Sequence, residues 1–163
     1  MKLLLLCIAV CVHVFSLAQN YVLEGNEVKL NKSIVFETGS DKLKEESTAA
    51  LAIIKQYLSD KSYISLLRVE CHTDNSGNLA ANQTLSEKRA LAICVALVKM
   101  GVDCKRLLAV GFGANKPVAG NDTPEGRASN QRVSIINAAL RGHAIGGMPV
   151  DGGGKLAGDS CTQ

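Results

Sequence analysis

Apolar positions along the chain change period several times, and each change marks an element. Over 64–71 they alternate, with Leu67, Val69 and Cys71 on one face and Arg68 and Glu70 on the other, the period of a half-buried strand. From about residue 45 to 59 the period turns helical, with Ala49, Leu51, Ala52, Ile54, Lys55 and Leu58 in an amphipathic pattern. A second helix, capped by Thr84 or Ser86 and running to about Met100, carries Ala90, Ile93 and Leu97 as its buried stripe. Gly101 stands where a left-handed C-terminal cap is wanted. The β-branched run 33–36 reads as the first core strand, and Thr38-Gly39-Ser40-Asp41 as the turn that ends it. Strands are also expected over 107–113 and 132–136, separated by a long loop, 114–128, that holds Pro117, Gly120, Pro124 and Gly126. Ahead of these, Tyr21-Val22-Leu23 and Val28-Lys29-Leu30 flank Glu24-Gly25-Asn26-Glu27 as a small hairpin in a lead-in, 19–32.

Two helices interleaved with a few strands can cover one face of a sheet. The expected fold is therefore α/β, a two-layer sandwich ordered β-α-β-α-β-β over 33–137, with a mixed sheet and its helices on one face. Past Asn137 the composition shifts to repeated glycines with little apolar periodicity. Segment 138–163 is accordingly expected to be a flexible tail, unable to offset its ordering entropy.

Residues 1–18 read as a secretory signal: Lys2, an apolar run over 3–12, and small residues placed for a cut after Ala18. The competing reading, a retained membrane anchor, meets a run that is short for a span. A lipid-anchored cysteine is disfavoured, because Leu6 before Cys7 and Val10 before Cys11 are not the small residues such a signal needs. Loss of 1–18 removes Lys2 alone among charged residues, so the formal charge falls from +3 to +2. That weak charge, with no Trp and three Phe, argues against a nucleic-acid partner. In an oxidising compartment Cys71, Cys94, Cys104 and Cys161 can bridge. Cys94 and Cys104 straddle the helix end and its turn and are the candidate disulfide; the alternative is two thiols that never meet.

The chemistry concentrates in 70–90. Asp74 lies in the loop leaving a strand, and Arg89 follows inside a helix. A carboxylate and a guanidinium so placed can hold a zwitterion, one facing an ammonium and the other taking a carboxylate by a two-pronged bond. Against this stand plainer roles: Asp74 as a loop cap bonding backbone amides, and Arg89 exposed or paired with Glu70 or Glu87. His72 beside Cys71 and Asp74 invites a metal, but outside 1–18 only His143 could join it and no second ligand cluster is visible. Neither does any Ser or Cys show the setting of a nucleophilic triad.

The spaced residues Asn82, Leu85-Ser86, Arg89-Ala90, Ile93 and Leu97, with His72-Thr73-Asp74, Gly111-Phe112-Gly113, Gly126-Arg127-Ala128 and Asn130-Gln131-Arg132-Val133, resemble the OmpA-like C-terminal domain of the OmpA/MotB family. The resemblance covers about 34–136. It implies a non-enzymatic protein of the periplasm, associated with cell wall and outer membrane, that binds peptidoglycan without making or breaking a bond. The positions matching Asp74 and Arg89 grip the diaminopimelate of the stem peptide; Thr38, Gly39, Asn82 and Arg132 would support the pocket. An envelope protein partner would supply any tether to the outer membrane. The alternative is a structural or interaction module of the same fold that no longer binds the wall. Two departures from the family pattern bear on the site: Cys71 stands where glycine is usual, and Gln131 replaces the first of two arginines.

Overall fold

The computed structural model describes residues 20–147 and 151–162; the expected signal segment lies outside them. A hairpin, β1 (Tyr21–Glu24) and β2 (Glu27–Leu30), opens the described chain. Helix α1 (Thr48–Asp60), strand β3 (Ile64–His72), helix α2 (Leu79–Lys99) and strand β4 (Leu107–Gly113) follow. A short helix α3 (Pro124–Asn130) precedes β5 (Val133–Leu140), and two-residue strands β6 (His143–Ala144) and β7 (Lys155–Leu156) complete the set. The sheet runs β1-β2-β5-β3-β4-β7, with β6 on β5. It is mixed: β3 and β4 are parallel, while β5 lies antiparallel to β3. The α/β sandwich with a mixed sheet expected from the sequence is the fold observed.

The main core lies between the sheet and helices α1 and α2. Ile54, Leu58, Ile93 and Leu97 meet Leu67, Val69, Cys71 and Ile135 there, all essentially buried. On α1 the buried stripe comprises Ala50, Leu51, Ile54, Tyr57 and Leu58, while Ala49 and Ala52 face solvent. The Tyr57 hydroxyl reaches into the core and donates to Asn137 Oδ1 at 2.9 Å. Gly101 takes φ +94° after α2, the left-handed cap its position requires.

Five local expectations need correction. Residues 33–36 form no strand of the sheet. Phe36 makes an isolated bridge to Leu43, the Ser47 hydroxyl clamps both backbone groups of Val35 at 2.8 Å, and the place beside β5 is held by β2. Helix α2 begins earlier than Thr84, because Asn78 caps it by accepting from Ala81 N at 3.0 Å. The loop 114–128 contains the start of α3: Thr123 caps Gly126 N at 3.1 Å and Pro124 occupies the first turn, where a missing N–H costs nothing.

The remaining two concern the C-terminus. The described residues of segment 138–163 do not form a flexible tail, for β5 continues through Ala138 and Ala139, both buried, and β7 adds an edge strand to β4. On the sheet face opposite α1 and α2, Gly147 O accepts from Arg68 Nη1 at 3.3 Å and Gly153 O from Asn115 at 3.2 Å. Gly152 lies against Phe112 and Lys116 on the same side. The disulfide joins Cys104 to Cys161, 57 residues apart. Cys94 is instead a free buried thiol, as is Cys71, and burial pushes the Cys94 thiol up to about 12. Both behave as small apolar core residues.

Helix α2 sits unusually close to β4 at Gly111. A Cβ added there would lie 2.3 Å from the backbone nitrogen of Glu87 and 2.7 Å from its Cα. Relief would require moving the helix backbone, because no flexible side chain can simply step aside. Gly111→Ala is therefore expected to cost about 3 kcal/mol, read as a lowered urea midpoint with unchanged slope. An unchanged midpoint would mean that α2 can slide on the sheet.

Candidate functional site

Where β3 ends at His72, the chain enters a loop whose shape is set by short-range bonds. Thr73 N donates to Gly113 O at 2.9 Å and the Thr73 hydroxyl to Asp74 O. Asn82, from the first turns of α2, donates its amide to Ser76 O at 2.8 Å and Asp74 O at 3.3 Å. Asn82 thereby ties the loop backbone to the start of α2. Helix α2 is itself tied to β4: Ser86 Oγ donates to Gln83 O and accepts from Gly113 N at 2.8 Å, while Gln83 donates to Gly111 O at 2.7 Å. These ties fix the azimuth of α2, and with it the direction of Arg89 one turn on.

A cavity of about 500 Å³ opens between this loop, α2, the 34–39 segment and the start of β5. Asp74, Arg89, Thr38, Gly39, Asn82 and Arg132 all line it. Asp74 is 7% exposed. Its Oδ1 accepts from Ser76 N at 2.8 Å and its Oδ2 from the Gln131 side-chain amide at 2.5 Å. Burial works to raise the Asp74 carboxyl, but these hydrogen bonds outweigh it and hold the group below its usual range. Asp74 thus caps the loop through Ser76 N while lining the cavity.

Arg89 donates from Nε to Ser40 O at 2.8 Å and lies over the Phe36 ring, 4.9 Å from its centroid. It pairs with neither Glu70 nor Glu87, and among the described residues no carboxylate comes within ion-pair distance. Gly39, at φ +66°, shapes the turn that brings Ser40 O to the guanidinium. Arg132 is anchored to the backbone, donating to Lys116 O at 3.0 Å and Asn130 O at 3.5 Å. What results is a carboxylate and a guanidinium lining one cavity, each fixed by neutral groups and not spent on the other.

His72 does not shape this loop through its ring. The ring lies on the opposite sheet face, stacked on Phe112 at 4.9 Å, with no hydrogen-bond partner for either nitrogen among the described residues. Burial holds it below its usual pKa, against the opposing pull of Glu70 at 3.4 Å. Glu70 is meanwhile bonded to Arg68 Nε at 2.7 Å. No group of three or more potential metal ligands occurs among the described residues. Gln131 was legible only as a missing arginine, and its bond to Asp74 spans 57 residues of sequence. No local pattern announces a contact of that kind.

A model of the OmpA family matches residues 35–131. The outer-membrane lipoprotein YfiB of Pseudomonas aeruginosa is 36% identical over 113 residues, which cover 69% of this chain and 67% of that protein. Outer membrane porin F of the same organism is 43% identical over 108 residues, covering 65% of this chain but 30% of the porin. Among solved structures, the peptidoglycan-associated lipoprotein from Burkholderia pseudomallei superimposes with a TM-score of 0.57 at 30% identity, over 64% of this chain and 88% of that one.

Proposed function

The chain belongs to the OmpA family, and from that membership we propose that it binds peptidoglycan non-covalently, gripping the free end of a diaminopimelate side chain between Asp74 and Arg89. It is a protein of the cell envelope, as its lipoprotein and porin relatives are, and no helix of the described residues is long and apolar enough to cross a membrane. The observation that carries the reading is the pair of opposite charges, each held in place by neutral partners and facing one cavity.

The free end of diaminopimelate bears one ammonium and one carboxylate. Asp74 offers lone pairs to the first, and the guanidinium of Arg89 offers a planar fork to the second. Phe36, under the guanidinium, gives the ligand's methylene chain an apolar wall on the same side. Binding of this kind needs no nucleophile and no general acid, so the protein acts as an anchor to the wall and not as a catalyst. A partner in the outer membrane is part of the same proposal. Co-sedimentation with purified sacculi tests it, and a wild-type protein that stays in the supernatant would favour an interaction module that has lost the wall.

A further inference from the structure

Deepening that reading and resting on it, we propose a second subsite for the wall peptide, in the cleft between β2 and β5. There the peptide's main chain pairs with the open edge of β5, and Lys32 meets one of its carboxylates. The cleft holds about 350 Å³. It shares Ile34, Gln131, Arg132 and Val133 with the Asp74–Arg89 cavity, so one extended ligand can run from the first into the second.

The cleft exists because β2 leaves β5 early. The two strands are in register at Glu27 and Ile136 alone, with Asn137 N donating to Asn26 O at 2.8 Å beside that pair. On its other edge β5 stays paired with β3 as far as Cys71 and Val133, and His72 N donates to Arg132 O at 2.9 Å. Peptide groups alternate between the two edges of a strand. Those of Arg132 and Ser134 therefore face β3, and those of Val133 and Ile135 face the cleft. The segment that could have covered Val133 is 33–36, but the Ser47 hydroxyl holds it away by both backbone groups of Val35 at 2.8 Å. A strand edge left open in this way is a template for an extended chain.

Charge points to the same occupant. Lys29, Lys32 and Arg132 line the cleft against one acid, Glu27, which is already paired with Lys29 at 2.8 Å. Arg132 is tied to two backbone carbonyls. Lys32 is exposed, and among the described residues no carboxylate lies within ion-pair distance of it. On either side of diaminopimelate a stem peptide carries a carboxylate, one on its γ-linked glutamate and one at the end of the chain. Free diaminopimelate has the zwitterionic end for the first cavity but no neighbouring residues to place in the second.

Calorimetry with two ligands separates the subsites: free diaminopimelate, and a stem tetrapeptide in which it stands between glutamate and a terminal alanine. Wild type should bind the tetrapeptide tighter by about tenfold or more. Lys32→Glu reverses the charge at the mouth of the cleft and Ser33→Phe fills it; both positions are exposed and neither lines the first cavity. Each substitution should cut the tetrapeptide's advantage to about threefold or less. A second measurement needs no variant: the tetrapeptide, unlike free diaminopimelate, should slow hydrogen exchange of the Val133 amide. Equal wild-type affinities for the two ligands overturn the second subsite and leave the first cavity as proposed. A tetrapeptide advantage that survives in both variants, with Val133 exchange unmoved, does the same. Failure of wild type to bind either ligand overturns the reading of the first cavity, and the second subsite with it.

Discussion

Asp74→Ala and Arg89→Ala are each expected to abolish or greatly weaken co-sedimentation with sacculi, with the thermal unfolding transition still cooperative. Each would remove one half of the proposed charge-assisted contact to a zwitterion, a loss of about 2–4 kcal/mol when the site is desolvated on binding. Two milder substitutions separate charge from packing. Asp74→Asn keeps the shape and a carbonyl acceptor but removes the charge. Arg89→Lys keeps the charge but loses the fork and the geometry of the bond to Ser40 O. Both should bind poorly if the ligand is a zwitterion. The pH dependence has a definite sign. Because the folded protein holds the Asp74 carboxyl below its usual range, its share of binding persists into mild acid and is lost as pH falls through that lowered value. Sacculus binding by both alanine variants at the wild-type level would remove the pocket from consideration.

A large stability effect is expected at the Cys104–Cys161 bridge. It closes a loop across 57 residues, and removing such a link raises the entropy of the unfolded chain by about 4 kcal/mol in free-energy terms. The double variant Cys104→Ser, Cys161→Ser should therefore melt roughly 10 °C lower or more, and reduction of the wild type should do the same. The bridge also holds the C-terminal segment on the sheet. Chain termination after Ala139 should cost at least as much, because it strips β7 from β4 and uncovers Phe112 and the Arg68–Glu70 pair. Uncovering Phe112 returns apolar surface to water, and the Arg68–Glu70 pair, once solvated, contributes no more than an exposed pair does. Equal melting temperatures with and without the bridge, together with equal protease resistance of 140–162, would show that the segment contributes nothing to the fold.

Taken by itself, the sequence determines the elements whose side chains repeat with a local period. Strand β3, the buried stripe Ala90, Ile93 and Leu97 of α2, the left-handed glycine at 101 and the placement of Asp74 and Arg89 on loop and helix follow from spacing and turn chemistry, because neighbours in sequence enforce them. The tertiary structure decided what depends on partners far along the chain. Residues 33–36 have the composition of a strand, but β2 occupies the place beside β5 and Ser47 holds Val35 off the ladder. Cys104 pairs with Cys161 and not with nearby Cys94, whose side chain points into the core between α2 and the sheet. The glycines after Asn137 look too permissive to order locally. They are ordered because a disulfide, an edge pairing and bonds from Arg68 and Asn115 act on them from outside the segment. Gln131 likewise reads as a lost charge until the fold brings it to Asp74. Periodicity reports only what a residue's near neighbours demand, and these four outcomes were set by contacts that form once distant segments have met.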